Sequence, residues 1–168
     1  MIAEAKEQLS KLDYRERDAM ERRWMLEAMI MALESMVNYA SRYGQKAREL
    51  AESEGDAKRK AELLRIAENC AWVPGNPPRN FYEALQFMWF VHLGLHLDVV
   101  SYVECLARMD QYLYPYYARD IGEGKLTRDE AAELLACLVV KMNNLAKLDL
   151  KWRQDMVQGN HQQYVTIG

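Results

Sequence analysis

Three cysteines, Cys70, Cys105 and Cys137, carry the most reactive side chains of this sequence. A cysteine thiolate can act as a nucleophile, as a metal ligand or as half of a disulfide. The three are odd in number and widely spaced, and no Cys-x-x-Cys pair occurs among them. This pattern argues against both a disulfide framework and a zinc site. We therefore expect three free thiols that pack within helices.

His92 and His96 are four residues apart, so a helix places both side chains on one face. That spacing can bind a metal ion. However, no Glu stands between them as in a His-Glu-x-x-His motif, and the third histidine, His161, lies far along the chain. We expect two packed or hydrogen-bonded core histidines, and we assign no catalytic and no metal-binding residue.

Arg108 and Asp110 are predicted to have structural roles. Residues two apart on a helix point in different directions, so each of these charges needs a partner elsewhere. The same segment is rich in tyrosines, which we expect to pack with their hydroxyls hydrogen-bonded. These tyrosines are Tyr112, Tyr114, Tyr116 and Tyr117.

The composition is that of a globular domain. The chain has 168 residues, half of them apolar, and a net charge of −3. Without a basic excess, nucleic-acid binding is disfavoured. No apolar run approaches the roughly 18 residues that span a bilayer, and residues 1–7 lack an apolar signal core. We therefore predict a cytoplasmic protein with neither a membrane nor a nucleic-acid partner.

The elements that must position these side chains are predicted to be mainly helices. A charged helix is expected over residues 2–22 and an amphipathic one over 23–53. Gly55-Asp56 then ends one helix and caps the next, over 57–72. The apolar face of 23–53 is expected to comprise Met25, Met29, Ala32, Leu33, Met36, Ala40 and Tyr43, and that of 57–72 to comprise Ala61, Leu64, Ile66 and Ala67.

The second half of the chain begins after a proline-rich connector, residues 72–78. Capping boxes at Asn80–Glu83 and at Thr127–Glu130 predict two helices, over 80–97 and from 127 to about 148. The first is apolar nearly all round, so we expect other protein to surround it. Residues 99–118 are predicted to form a further helix that ends near Pro115. The tail, 163–168, is β-prone, and a single short strand has no evident pairing partner.

Several runs of this sequence occur in an order that resembles the pyruvate formate-lyase domain of glycyl radical enzymes. The dehydratase, decarboxylase and lyase branches are the most similar, and the resemblance extends from about residue 20 to the last residue. The runs are ALESMVNYASRY (32–43), DAKRKAEL (56–63), VPGNPPRNFYEALQ (73–86), WFVHL (89–93), ARMDQYLYPYY (107–117), GKLT (124–127) and VTIG (165–168).

The resemblance implies a radical mechanism for the family. Full-length members keep an unpaired electron on a backbone glycine, installed by a radical S-adenosylmethionine activating enzyme. It generates a thiyl on a cysteine inside a ten-stranded β/α barrel, and a glutamate near that cysteine often acts as base. None of these elements falls within the matching region, so residues 1–168 are expected to be one helical region that lacks the barrel, the cysteine loop and the glycyl radical domain.

Cys105 does not match the family's thiyl cysteine, because here Glu104 precedes the cysteine in a stretch predicted to be helical. The family's His-Ser substrate pair in this stretch is also missing, and Ser101 is the nearest hydroxyl. This departure disfavours a polyol, choline or hydroxyproline substrate, and a more apolar stretch suits an aryl or alkyl one. The candidate substrate-contacting residues are Ser101, Asp98, Glu104 and Ile167.

Two functions remain open on the sequence. The first is a fragment of a glycyl radical enzyme, inactive alone, whose partner is the remainder of the enzyme or a self-associating copy. A small organic substrate would bind only the full enzyme, and apolar surface would be exposed around Trp89 and Phe90. The second is a stand-alone helical scaffold or partner-binding module that has lost catalysis.

Overall fold

The computed structural model describes residues 1–98, 103–143 and 162–164. It is mainly α-helical, as predicted. The chain forms two compact units, Met1–Gly75 and Asn76–Gly168, and the boundary falls inside the proline-rich connector. The first unit contains α1 (Ile2–Ser10), α2 (Ala19–Ser53) and α3 (Ala57–Trp72). The second contains α4 (Phe81–Asp98), β1 (Val103–Cys105), α5 (Met109–Gly122), α6 (Arg128–Asn143) and β2 (Gln162–Tyr164).

The predicted helix over residues 2–22 is wrong in its middle. α1 ends at Ser10, and the chain turns before α2 begins at Ala19. The Asp13 carboxylate accepts the Arg15 backbone N–H at 3.0 Å, which is the local bond by which Asp favours a turn over a helix. α1 can therefore fold back, and its apolar side packs on α2 through Ala5, Leu9, Leu12, Ala19, Leu26 and Ile30.

α2 and α3 pack closely because small side chains lie between them. On α2 the buried residues of the second half are Ala40, Gly44, Ala47 and Ala51. A Cβ atom on Gly44 would lie 3.2 Å from the Ala67 carbonyl oxygen and 3.2 Å from the Cys70 Cβ. Glycine is therefore required at this position by the close approach of α3.

The predicted apolar faces of these two helices are partly wrong. Ala40 and Ala67 are buried as predicted, whereas Met25, Met29, Tyr43 and Leu64 are exposed. On each helix the buried face is displaced by about one residue from the predicted face. It consists of small residues together with Leu26 on α2 and Leu63 on α3. Hydrophobic spacing identified the helices correctly, but it did not choose between two adjacent apolar faces.

The predicted cap of α3 is confirmed. The Asp56 carboxylate accepts the Lys58 backbone N–H at 3.0 Å, which satisfies one of the donors left open at a helix start. α3 begins at Ala57 and ends at Trp72, as the sequence predicted.

The second unit is built around the N-terminal half of α4. Phe81, Leu85 and Met88 of α4 are buried with Leu113 of α5 and Leu138 of α6. The Phe81 ring meets the Tyr117 ring edge to face, with centroids 5.8 Å apart. This cluster gives α4, α5 and α6 a common core of large side chains.

The predicted helix over 99–118 is wrong. Residues 103–105 form β1 instead, and α5 begins only at Met109 and continues past Pro115 to Gly122. A proline inside a helix removes one backbone hydrogen bond and costs about 3 kcal/mol. Contacts on either side of Pro115 favour the helix, because Leu113 packs into the core and Asp120 accepts the Phe81 backbone N–H.

β2 confirms a short strand in the tail, but the expectation that it has no pairing partner is wrong. β2 pairs with β1 in parallel, with Val103 opposite Gln162 and Cys105 opposite Tyr164. Parallel neighbours need a crossover connection, and α5 and α6 lie within it. Residues 165–168, the rest of the predicted β-prone tail, lie outside the described residues.

The capping box of α6 is confirmed in both directions. The Thr127 hydroxyl oxygen accepts the Glu130 backbone N–H at 3.2 Å, and the Glu130 carboxylate accepts the Thr127 backbone N–H at 2.8 Å. The described part of α6 ends at Asn143. Its predicted extension to about residue 148 falls on residues that are not described.

Candidate functional site

Two buried carboxylates, Glu83 and Asp120, form the most distinctive polar cluster of the described residues. Glu83 lies in the first turn of α4 and is 1% exposed. Its carboxylate accepts the Arg79 backbone N–H at 2.7 Å and the Arg79 Nε at 3.0 Å. The Arg79 guanidinium thus meets the carboxylate with two of its nitrogens, the geometry of a strong charge-assisted pair.

The capping box predicted at Asn80–Glu83 is half confirmed. The Asn80 side-chain oxygen accepts the Glu83 backbone N–H at 2.8 Å. The return bond differs, because the Glu83 carboxylate reaches the backbone N–H of Arg79 rather than that of Asn80. Glu83 therefore holds the backbone at Arg79, one residue before the capping residue Asn80.

Asp120 joins the end of α5 to the start of α4. Its carboxylate accepts the Phe81 backbone N–H at 2.7 Å, and a negative charge at a helix N-terminus is favourable. Its backbone carbonyl accepts the amides of Lys125 and Leu126 in the following turn. Arg119, its neighbour, donates to the Arg79 carbonyl oxygen.

The sequence prediction did not single out Asp120. The available signal was an acidic residue between Arg119 and Ile121 at a helix end, and an Asp at such a position is usually exposed. Both acids accept backbone N–H and guanidinium donors, so they are held in place. This arrangement suits a fixed scaffold better than proton transfer.

Two of the four predicted substrate-contacting residues have a described backbone position. Glu104 is the middle residue of β1, and its backbone partner on β2 is Gln163. Asp98 is the last residue of α4. The side chains of Glu104 and Asp98, and the whole of Ser101 and Ile167, lie outside the described residues.

The turn from β1 into α5 is strained. Ala107 has φ = 52°, a left-handed conformation that costs a residue with a Cβ about 1 kcal/mol. Tyr112 secures this turn, because its hydroxyl lies 3.0 Å from the Leu106 carbonyl oxygen and 2.8 Å from the Met88 sulfur. Tyr112 thus confirms the expectation of a bonded hydroxyl, but its side chain is 42% exposed and that of Tyr114 is 63% exposed, so the expectation that these two tyrosines are packed is wrong.

The two histidines of α4 are buried, as predicted for core histidines. His92 is 3% exposed, His96 is 9% exposed, and their rings lie 4.4 Å apart. The His96 Nδ1 lies 2.9 Å from the His92 carbonyl oxygen. A carbonyl oxygen only accepts, so Nδ1 of His96 carries the proton. Among residues 1–98, 103–143 and 162–164, no group of three or more His, Cys, Asp or Glu is arranged to hold a metal ion.

The cysteines differ in their surroundings. Cys70 is buried between α2 and α3, and burial raises the pKa of its thiol to about 11. Cys137 is exposed on α6. Cys105 lies in β1 rather than in the helix predicted for it, and its side chain is not described. A raised pKa keeps the Cys70 thiol protonated, so this cysteine has a packing role.

The expected exposed surface around Trp89 and Phe90 is wrong in position. Phe90 is 3% exposed, and Trp89 packs on the core cluster. On α4 the exposed apolar side chains are instead Val91, Leu95 and Leu97, and α6 exposes Val139 and Val140. No helix within the described part of the chain is long and apolar enough to cross a membrane.

Comparison with known proteins gives a consistent result. The family model "Pyruvate formate lyase-like" matches residues 1–168. The chain is 43% identical over 141 residues to an isethionate sulfite-lyase of Oleidesulfovibrio alaskensis, covering 83% of this chain and 17% of that protein. It is 44% identical over 138 residues to a trans-4-hydroxy-L-proline dehydratase of Clostridioides difficile, covering 81% of this chain and 18% of that one.

Solved structures are similar over nearly the whole chain. A Roseburia inulinivorans protein studied for 1,2-propanediol dehydration matches 99% of this chain at 33% identity with a TM-score of 0.92. A glycyl radical enzyme from Archaeoglobus fulgidus matches 99% of it at 37% identity with a TM-score of 0.91. This chain covers 20% and 22% of those two proteins. The chain therefore spans about a fifth of the length of its relatives.

Proposed function

Because this chain belongs to the pyruvate formate lyase-like family, whose relatives here are glycyl radical lyases and dehydratases, we propose that it is the helical scaffold portion of such an enzyme. In that role it positions substrate-facing strands and performs no turnover alone. The family chemistry, a glycyl radical installed by a radical S-adenosylmethionine activating enzyme, would come from other parts of the enzyme. Its cytoplasmic location stays a prediction.

The similarity of fold over 99% of this chain and 20% of a relative is the observation that carries the proposal. The described residues support it in two ways. The polar cluster of Glu83 and Asp120 holds the start of α4 without offering a mobile acid or base. Among the described residues, β1 and β2 form a two-stranded parallel pair, and a parallel pair of this kind needs further strands to be stable.

We propose that Asp98, Ser101, Glu104 and Ile167 contribute contacts to a small organic substrate in the assembled enzyme. Asp98 closes α4, Ser101 precedes β1, Glu104 lies in β1 and Ile167 follows β2 along the chain. We expect the remaining four-fifths of the enzyme to complete the barrel and to determine which substrate is bound. An aryl or alkyl substrate is our preferred class.

A chimera tests the scaffold role. The matching segment of the Clostridioides difficile dehydratase, 44% identical to this chain, is replaced by residues 1–168, and the enzyme is activated and assayed with trans-4-hydroxy-L-proline. We expect measurable turnover by the chimera and none by residues 1–168 alone. A soluble chimera that cannot turn over any family substrate would contradict the scaffold role.

The same chimera separates scaffold from substrate contact. Glu104→Gln and Ser101→Ala should raise KM or change substrate preference while leaving the glycyl radical content unchanged. Substitutions at exposed α3 positions such as Lys60→Gln serve as the control and should change neither quantity. Equal effects at both sets of positions would argue for the alternative, a helical module that binds a partner and has no substrate role.

A further inference from the structure

The Tyr112 hydroxyl joins three elements of the second unit. Tyr112 is the fourth residue of α5, and its hydroxyl donates to the Leu106 carbonyl oxygen, just after β1, at 3.0 Å. The same hydroxyl lies 2.8 Å from the Met88 sulfur of α4. A hydroxyl has one proton, and a carbonyl oxygen is a stronger acceptor than a thioether. The hydrogen bond is therefore made to Leu106, and Met88 packs beside it.

The hydroxyl end of Tyr112 points into the protein, although the side chain as a whole is 42% exposed. Both residues that the hydroxyl contacts are buried, since Leu106 is 9% exposed and Met88 is 8% exposed. A carbonyl group in such surroundings is costly to leave without a donor, because water does not easily replace the lost bond. Removal of this one hydroxyl should therefore displace the Leu106 carbonyl group.

The bond also spans the strained turn between β1 and α5. β1 ends at Cys105, Leu106 follows it, and Ala107 has φ = 52°. Arg108, the capping residue of α5, makes no side-chain capping bond. A left-handed alanine is unfavourable by itself, so the contacts around it must keep it in place. Tyr112 supplies such a contact, because it reaches back six residues across this turn.

The helix on the other side of this connection is itself held in place. Met88 of α4 lies in the core cluster that α4 shares with α5 and α6. The start of α4 is fixed by the Asp120 carboxylate, which accepts the Phe81 backbone N–H at 2.7 Å. Tyr112 therefore links the end of β1 to a helix whose position is set by buried groups.

We infer that Tyr112 is a positioning residue for substrate binding, which acts through β1. This role rests on the proposed function, in which Glu104 of β1 contacts the substrate. Glu104 lies two residues before Leu106, and peptide planes are rigid, so a displaced Leu106 carbonyl shifts the backbone at Glu104 as well. A misplacement of about 1 Å can cost about 100-fold in an enzyme's rate. The Tyr112 hydroxyl thus determines where β1 presents Glu104.

The activated chimera tests this role through a comparison of Tyr112→Phe with Tyr114→Phe. Each variant removes one hydroxyl from α5, but Tyr114 is 63% exposed, where water can bond its hydroxyl. We expect Tyr112→Phe to raise KM for trans-4-hydroxy-L-proline by about three- to tenfold, with an unchanged glycyl radical content per chain. Tyr114→Phe should change neither quantity. A merely structural role would instead lower the radical content of Tyr112→Phe and leave KM unchanged.

Two double variants test the path from the hydroxyl to the substrate. Tyr112→Phe should raise KM less in a Glu104→Gln background than in the parent chimera, because the contact that it positions is already weakened. Ala107→Gly should return part of the affinity lost in Tyr112→Phe, because glycine adopts a positive φ without strain. Fully additive effects with Glu104→Gln, or no recovery with Ala107→Gly, would overturn the role of Tyr112.

Amide hydrogen exchange of the 168-residue chain gives a measurement that needs no turnover. The N–H groups of Met109 and Gln111 bond within the turn, and they should exchange faster in Tyr112→Phe than in Tyr114→Phe. A parent chimera without turnover would refute the proposed function, and with it the substrate role of β1 and Tyr112. An active parent chimera in which both variants have the same KM, or equal exchange in the two variants, would overturn the role of Tyr112 alone.

Discussion

The two units of the chain bury different kinds of residue. In the first unit the contact between α2 and α3 is made by Ala40, Gly44, Ala47 and Ala51, and its ion pairs lie in solvent. The second unit buries large apolar side chains together with Glu83 and Asp120. The stability of the first unit therefore depends on the close approach of its helices. That of the second also depends on hydrogen bonds to its buried carboxylates.

This difference indicates where each unit tolerates change. Exposed charges in the first unit contribute little, since solvent-exposed pairs are worth about 0–1 kcal/mol. The contact between α2 and α3 has no room for a larger side chain, so such a substitution should destabilise the first unit. In the second unit the reverse is expected, because loss of a buried partner leaves charges and amides without bonds. Four pairs of substitutions test this contrast, and each pair has one member in the first unit and one in the second.

The largest effect is expected at Glu83, the buried acid of the Arg79–Glu83 pair. Glu83→Ala should lower the free energy of unfolding by about 3 kcal/mol, because the Arg79 backbone N–H and the start of α4 lose a buried acceptor, while the Arg79 side chain, 46% exposed, is hydrated by water. Glu62→Ala removes the acid of the Arg59–Glu62 pair in α3, where the side chains are 52% and 46% exposed. It should cost less than about 1 kcal/mol. Urea denaturation followed by circular dichroism measures both, and equal losses would refute the contrast.

A larger side chain in place of glycine should have the opposite pattern, destabilising the first unit and leaving the second unchanged. Gly44→Leu should cost about 1–3 kcal/mol, because its side chain meets the Ala67 backbone and Cys70. Gly122→Leu, at the end of α5 with nothing within 4 Å of the new Cβ, should be neutral or slightly stabilising. Thermal melts of the two variants give the comparison. A stable Gly44→Leu protein would mean that α3 can move away from α2.

Relief of backbone strain is expected to give a smaller gain. Ala107→Gly removes the left-handed strain at φ = 52° and should stabilise the second unit by about 1 kcal/mol. The same substitution at Ala61, exposed in helix α3, should destabilise the first unit by about 1 kcal/mol. If both variants are destabilised in urea denaturation, the strain at Ala107 is not a cost to the fold.

The last contrast appears only at high pH. Burial raises the pKa of the Cys70 thiol from 9.0 to about 11, so this thiol ionises more readily in the unfolded chain than in the folded one. Its contribution to stability is complete below pH 9 and is lost as the pH rises from 9 towards 11. Cys70→Ala should reduce the fall in the free energy of unfolding between pH 9 and 11. Cys137→Ala, at an exposed site, should leave that fall as it is in the parent protein. An unchanged slope in Cys70→Ala would exclude Cys70 as its source.

Much of the local structure was predictable because it depends on near neighbours. Asp56, Asn80 and Thr127 each bond a backbone amide two or three residues away, and all three helix starts were predicted from them. The break between α1 and α2 also has a local cause at Asp13, which the prediction of one charged helix over residues 2–22 did not take into account.

What could not be predicted depends on distant contacts. Asp120 caps α4 from 39 residues away, and no spacing in the sequence indicates that pairing. The sequence predicts a helix at β1 because a strand of three residues gives too short a pattern, although Val99, Val100, Tyr102 and Val103 favour a strand. The choice between the two apolar faces of α2 likewise depends on where α3 packs.

The most direct test of the account is the glycyl radical content of the chimera, measured by electron paramagnetic resonance after activation. If residues 1–168 act as scaffold, the chimera should reach a radical content per chain similar to that of the parent dehydratase, and Glu83→Ala within it should lower that content while Glu62→Ala does not. A folded chimera with no radical, or one in which both substitutions act equally, would contradict the account.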